Sequence, residues 1–495
     1  MVVAETKTAL EIYFNKFRQN IIGIDQEFES PFGIKKIIYT DWTASGRLYR
    51  PIEEKLMNDF GPFVANTHTE TTISGTAMTM AYHEAKHIIK KHVNATENDV
   101  LINTGTGMTG VVNKFQRILG LKIPENLKDY LQLPKELKPI VFISHMEHHS
   151  NQTSWLETIA DVEVIPANEE GLFCIKEFKK LLEKYTDRSF KIASITSCSN
   201  VTGIVTPYHE VAKIMHQNNG VCFVDFACSG PYVDIDMHPE DKESYLDAIF
   251  FSPHKFLGGP GTSGVLIFNQ NLYKNNVPDC PGGGTVSWTN PWGEHKYIDN
   301  IEDREDGGTP GFLQVIKTAL AIQLKEQMGV QNILNREHEI VTYIFEQLGS
   351  VENITILARE HQDRLGVLSF YIDDLHFNLG VKILNDKFGI QTRGGCSCAG
   401  TYGHYLLHVD QETSNDLVCQ IISGDLIRKP GWIRMSVHPT TTSEEIKYVC
   451  ESIKALAENH KIWENEYLYN GKTNEFNHKN DQNAEKEMVK NWFKI

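Results

Sequence analysis

The chain has 495 residues, 41% of them hydrophobic and 23% charged. That balance excludes wholesale disorder and suits two or three folded domains. Its 48 Lys and Arg against 64 Asp and Glu leave a net charge of −16, so a general nucleic-acid or anionic-membrane binder is excluded by repulsion, while a local basic pocket for a small anion is not.

The N-terminal stretch MVVAETKTALEIYFNKFRQN has scattered charges and no apolar core. It reads as an amphipathic helix rather than a signal peptide, within a helical segment over residues 1–34. Short apolar runs then alternate with helical stretches. PIVFISH (139–145), KIASITSCS (191–199), VCFVDFA (221–227), AIFFSP (248–253) and SGVLIF (263–268) are strand candidates. HEVAKIMHQNNG (209–220) is a helix that stops at Asn-Gly. Near-continuous apolar strands separated by helices predict a parallel sheet covered on both faces, over residues 35–310. From Gly311 the pattern changes to two long helices and separate strands at RLGVLSFYIDD and GWIRMSVHP. These predict a smaller α+β domain over 311–465 and a polar tail over 466–495. No apolar run approaches the roughly 18 residues of a membrane span. The nine cysteines, odd in number and partly inside strand-like runs, suit reduced thiols in a cytoplasm.

Several clusters carry candidate chemistry. A strand ends in Asn103-Thr104-Gly105-Thr106-Gly107 and a helix follows. This is either a phosphate cradle of free backbone N–H groups or a plain turn. His148 and His149 follow another strand, where one can stack on an aromatic cofactor or move a proton; a metal site is the rival reading. Asn200 follows the next strand and can hydrogen-bond a ring hydroxyl. Asp225 ends an apolar strand, where it is either the partner of a pyridinium nitrogen or a backbone clamp. Lys255, in Ser252-Pro253-His254-Lys255 before a Gly-Gly-Pro-Gly run, is a candidate Schiff-base lysine or a turn lysine. Arg434 on a strand and Arg393 on a Gly-flanked loop can grip a carboxylate. Cys396 and Cys398 share that loop. They are candidate nucleophiles, zinc ligands with His404 and His408, or packing thiols.

In this order MEHH, SNVTG, VDFA, SPHK with its Gly-Pro-Gly turn, RGGCSC and an Arg-x-Ser strand resemble the class V aminotransferase family of pyridoxal-phosphate enzymes. The resemblance is greatest to the group II cysteine desulfurases and selenocysteine lyases, and it runs from about Tyr39 to Ile453. It implies an aspartate-aminotransferase-like fold of type I, with a seven-stranded, mostly parallel sheet and a smaller C-terminal domain. It implies pyridoxal 5'-phosphate on Lys255, with Asp225 on the ring nitrogen, His148 stacked on the ring and Asn200 near the ring hydroxyl and substrate carboxylate. Gly105, Thr106, Ser252 and His254 would surround the phosphate. Thr309 in GGTPGF would reach the phosphate of a second subunit in a homodimer. Arg434, with Arg393 nearby, would bind the carboxylate of L-cysteine or L-selenocysteine.

The family nucleophile lies five residues after an Arg, which makes it Cys398, with Cys396 in the place of a His, as in the R-x-G-C-x-C loop of molybdenum cofactor sulfurases. The implied reaction leaves alanine and a persulfide on Cys398, for passage to a sulfur-acceptor protein. Two positions depart from the pattern. Cys228 stands where the family has Gln after Asp-x-Ala, and the His pair before the nucleophile is absent. A transaminase or other amino-acid lyase would share Lys255, Asp225 and Arg434 without needing Cys398. A non-catalytic sulfur-relay or metal-binding protein would use only the Cys396–Cys398 loop.

Overall fold

The computed structural model describes residues 7–67, 69–481 and 484–494. Residues 1–6 of the expected N-terminal segment, and 482, 483 and 495 of the expected tail, lie outside the described residues. The chain divides into two units. A sheet unit is built from Ser45–Ser199 and Val205–Val330; a smaller unit comprises the N-terminal residues through Ala44, Asn200–Ile204 and the chain from Gln331 onward.

Seven strands form the sheet: β1 (Asp99–Thr104), β2 (Ile140–Ser144), β3 (Asp161–Ile165), β4 (Lys191–Thr196), β5 (Val221–Asp225), β6 (Ala248–Phe251) and β7 (Gly264–Asn269). Their order is β1–β7–β6–β5–β4–β2–β3. All run parallel except β7, which is antiparallel to both neighbours. Every residue of β2, β4 and β6 is buried, which is why these strands read as mostly apolar runs. The edge strand β3, DVEVI, buries only Ile165. Its alternation is that of a strand with one wet face.

One face packs Phe115 of helix Gly107–Ile118 and Trp155 of helix His149–Leu156 against Val141, Phe223, Phe250 and Phe268. Full burial of each such side chain contributes roughly 2–3 kcal/mol. Helix Phe312–Met328 packs along Ile73–His92 within this unit. Its buried Val315, Ile316, Ala319 and Ile322 keep it with the sheet rather than with the C-terminal residues.

The smaller unit has an antiparallel sheet of β8 (Ile354–Ile356), β9 (Val367–Ile372), β10 (Arg393–Gly395) and β11 (Trp432–Ser436), ordered β8–β9–β11–β10. Ile344, Phe370, Ile383, Ile433, Ile453 and Leu456 form its core with the surrounding helices. Helix Ser443–Trp463 opens with a capping box of Thr442 and Glu445, a feature that stabilises a helix by about 1 kcal/mol. After it, Tyr467–Asn470 and Glu475–His478 pair as a hairpin, where Asn378 Nδ2 donates to Asn474 O at 2.5 Å.

Candidate active site

Parallel pairing puts the carboxyl ends of β1, β2, β4, β5 and β6 on one edge of the sheet, the edge where open α/β sheets bind ligands. The loop after β1 turns through Gly105 and Gly107, at φ +61° and +60°, into helix Gly107–Ile118. Its N-cap Thr106 makes no side-chain cap bond, so that side chain does not occupy the first-turn N–H groups an anion would use. Met108 N donates to Ser252 Oγ at 2.8 Å. A Cβ at Gly107 would stand 2.7 Å from His254 Cε1 and 2.8 Å from Ser252 Oγ. Gly105, Thr106, Ser252 and His254 are thus brought together around one helix N-terminus.

Asp225 closes β5 and is buried. Its Oδ1 accepts from Ala227 N at 2.8 Å. Burial pushes its carboxyl up to about 6, against a smaller opposing pull from the charge of Lys255. Lys255 ends the short 3-10 turn after β6. A Cβ at Gly259 would lie 1.8 Å from Pro253 O, so only glycine lets the chain fold back under that turn. Burial, with the Lys255 charge beside it, drives the His254 imidazole down to about 4, leaving it neutral at pH 7.

His148 caps helix His149–Leu156: its Nδ1 accepts from Ser150 N at 3.1 Å. That bond needs an unprotonated Nδ1 and leaves the ring proton on Nε2. Thr109 Oγ1 and Ser150 Oγ, 2.6 Å apart, join the starts of the two edge helices. Sequence reasoning passed over Glu147, the residue before His148. It is buried and accepts from Ser144 Oγ (2.6 Å), Asn151 Nδ2 (2.7 Å) and Thr196 N (2.8 Å). Burial raises its carboxyl to about 8, and the charge of Asp225 adds to the rise. Its signal was the M-E-H-H run itself, in which the pair of histidines drew the attention.

Thr309 lies with Gly105 on the wall of a polar cavity of about 300 Å³ that also includes Asn103, Thr262, Ser263 and Asp306. The Cys228 thiol donates to Ser199 O at 3.7 Å.

The smaller unit gathers a different set. Arg434 on β11 is buried. Its Nη2 donates to Asp41 Oδ1 at 2.7 Å and its Nη1 to Asn200 O at 3.3 Å, while its buried Nε has no hydrogen-bond partner. Arg393, directly opposite it in the β10–β11 pairing, donates to Asp41 Oδ2 through Nε (3.0 Å) and Nη2 (2.8 Å). Asp41, also passed over in the sequence, bridges both guanidinium groups. Asn200 belongs to this unit rather than to the sheet edge. Its Nδ2 donates to Ser397 O at 2.7 Å, and its buried Oδ1 has no partner.

Ser397 and Cys398 take successive left-handed conformations, φ +53° and +57°. The turn leaves the Cys398 side chain exposed and Cys396 half-buried. Both ring nitrogens of His404 are engaged, with Gly400 O and Ser414 Oγ at 2.8 Å each. Among the described residues, no three His, Cys, Asp or Glu side chains are grouped to hold a metal ion.

The aminotransferase class-V family profile matches residues 38–449. A protein called probable cysteine desulfurase in Halalkalibacterium halodurans is 28% identical over 384 residues, 76% of this chain and 86% of the relative. One of the same description in Staphylococcus aureus is 27% identical over 369 residues, 74% and 84% of the two chains. The fold is shared with the apo cysteine desulfurase of Thermococcus onnurineus, at TM-score 0.71 and 21% identity, over 90% of this chain and 98% of that one. A cysteine desulfurase of Escherichia coli in its S-sulfonic acid form superposes at TM-score 0.69 and 20% identity, over the same shares.

Proposed function

The chain belongs to the aminotransferase class-V family, and from that premise we propose that it is a pyridoxal-phosphate-dependent cysteine desulfurase acting on L-cysteine, with L-selenocysteine as the related substrate. The observation that carries this reading is the Arg393–Cys398 loop, which holds an exposed thiol on left-handed backbone five residues after an arginine. The names of the relatives support it.

The sheet-edge residues fit the cofactor. The cradle at Gly107 has room only because no Cβ fills it. The buried carboxyl of Asp225, hydrogen-bonded to a single backbone amide, has the environment that a protonated ring nitrogen would complete. Ser252 Oγ, Thr106 and the first-turn amides would hold the phosphate, with neutral His254 beside them. His148 would lie on the ring. Bound pyridoxal phosphate supplies an electron sink for the substrate's α-carbon.

The rest falls to the chain's own groups. Lys255 Nζ would hold the cofactor's aldehyde and would move the proton at the substrate α-carbon. Arg434, with Arg393, grips the α-carboxylate. The Cys398 thiolate takes the substrate sulfur: an S–S bond forms at Cys398, the substrate C–S bond breaks, and L-cysteine plus the Cys398 thiol become L-alanine plus a Cys398 persulfide. A sulfur-acceptor protein would then collect the outer sulfur. The resemblance of the GGTPGF run that holds Thr309 to the family's inter-subunit loop supports a homodimer. Nine cysteines outside any disulfide, three of them exposed, support a reducing compartment such as the cytoplasm. No described helix is long and apolar enough to cross a membrane.

The test incubates the yellow protein with L-cysteine and a reductant and counts sulfide and alanine. Equal yields, lost in Cys398→Ser and kept in Cys396→Ser, are expected. Amino acids that bleach the cofactor without releasing sulfide would replace this reading with a transaminase.

A further inference from the structure

Two arginines stand directly opposite each other on neighbouring antiparallel strands, Arg393 on β10 and Arg434 on β11. Like charges in that register repel. Asp41 resolves the conflict: one carboxylate oxygen faces each guanidinium, at 2.7 Å to Arg434 and at 2.8 and 3.0 Å to Arg393. The backbone fixes Asp41 there. Ser436 N on β11 donates to Thr40 O at 2.7 Å, and Thr43 N donates to Ser436 Oγ at 2.9 Å, so the acid is tied on both sides to the strand that carries Arg434. It is buried, and the neighbouring Trp42 is buried and stacked 4.1 Å from His438.

Two guanidinium groups and one carboxylate leave a single net positive charge. The buried Nε of Arg434 still has no partner, nor has the buried Oδ1 of Asn200, whose carbonyl accepts from Arg434 Nη1. The residual charge of the pair is therefore matched to one further carboxylate, and none remains to receive a second anion.

We propose that Asp41 is the residue that sets substrate charge: by neutralising one of the two arginines, it restricts the Arg393–Arg434 pair to amino acids with a single carboxylate and discriminates against those with a second acidic group on the side chain. The proposal rests on the assignment of this pair to the substrate carboxylate and deepens it. Asp41 acts through the arginines, so it is a positioning and selectivity residue rather than a catalytic one.

The test compares the affinities of the cofactor-loaded protein for 2-methylalanine and 2-methylaspartate by titration calorimetry. Their α-methyl group removes the proton that either desulfuration or transamination needs, so only binding is read. The wild type is expected to prefer 2-methylalanine. Asp41→Asn is expected to shift the affinity ratio at least tenfold toward 2-methylaspartate. Arg393→Gln, at a half-exposed side chain, is expected to shift it the other way. A general loosening of the fold lowers both affinities together and leaves the ratio alone.

Ratios within threefold of wild type in both variants would overturn the proposal. Should Asp41→Asn fail to fold, Arg393→Gln decides alone, with an unchanged or reversed ratio counting against it. Absence of sulfide and alanine with L-cysteine would sink the desulfurase reading separately, because these ligands report on binding whatever the reaction.

Discussion

The acids of the sheet unit and the thiol of the smaller unit are held in opposite ways. At the sheet edge, Asp225, Ser252 and Glu147 are buried at the ends of strands, and their surroundings shift their acidity or use up their hydrogen bonds. In the smaller unit the thiol of Cys398 is exposed on a short loop whose backbone is left-handed at two successive residues. Burial in rigid structure is what tunes a charge, since desolvation and fixed dipoles act only where water is kept out. Exposure is what a group needs if it must hand its cargo to another molecule. On the proposed reaction, the difference would suit a division of labour, with electronic control in one unit and sulfur transfer in the other.

Four variants break or sharpen that division. Lys255→Ala should have the largest effect. It removes the amine and should lower sulfide release by roughly 10³-fold or more, together with the visible absorbance of the bound cofactor. Cys398→Ser should lower steady-state sulfide release by a comparable factor, about 10³-fold, yet leave the absorbance spectrum and cofactor affinity unchanged. If Cys398→Ser also lost the cofactor, the two sets would not be separable. Gly107→Ala adds a Cβ 2.7 Å from His254 at a residue with φ +60°. It should weaken cofactor binding by about tenfold or more, read as a dissociation constant, while the reactivity of Cys398 toward a thiol reagent stays the same.

Glu147→Gln should have the smallest effect, and it shows in the pH dependence. Folding raises the Glu147 carboxyl from an ordinary value of 4.5 to about 8, so the native state holds this proton more tightly than the unfolded chain does. The stability it contributes is therefore full below pH 4.5 and is lost as pH rises toward about 8. Glutamine cannot ionise, so between those pH values the melting temperature of the variant should fall less than that of the wild type. Parallel curves would mean that Glu147 does not hold its proton in the native state.

The sequence reading reached the sheet through its buried strands, because a strand covered on both faces is mostly apolar. It proposed Lys255, Asp225, His148 and Cys398 as site residues through short motifs in a fixed order. It did not single out β3, whose one wet face interrupts the apolar run, or Glu147 and Asp41, which lie among more conspicuous neighbours. The long helix Phe312–Met328 looked like the opening of the small domain. Its buried face against Ile73–His92 assigns it to the sheet unit instead.

By itself the sequence determined the composition class, the alternation of strands and helices, and the ordered motifs that mark the family. All of these depend on local periodicity or on residues near one another in the chain. Only the tertiary structure decided that Asp41 sits between Arg393 and Arg434, residues separated from it by 352 and 393 positions. It also placed Asn200 with those arginines and gave Glu147 a donor from Thr196 on β4, 49 residues away in the chain. Charge pairing and burial are set by distance in space, and a chain that folds back across hundreds of residues does not write those distances into any local pattern.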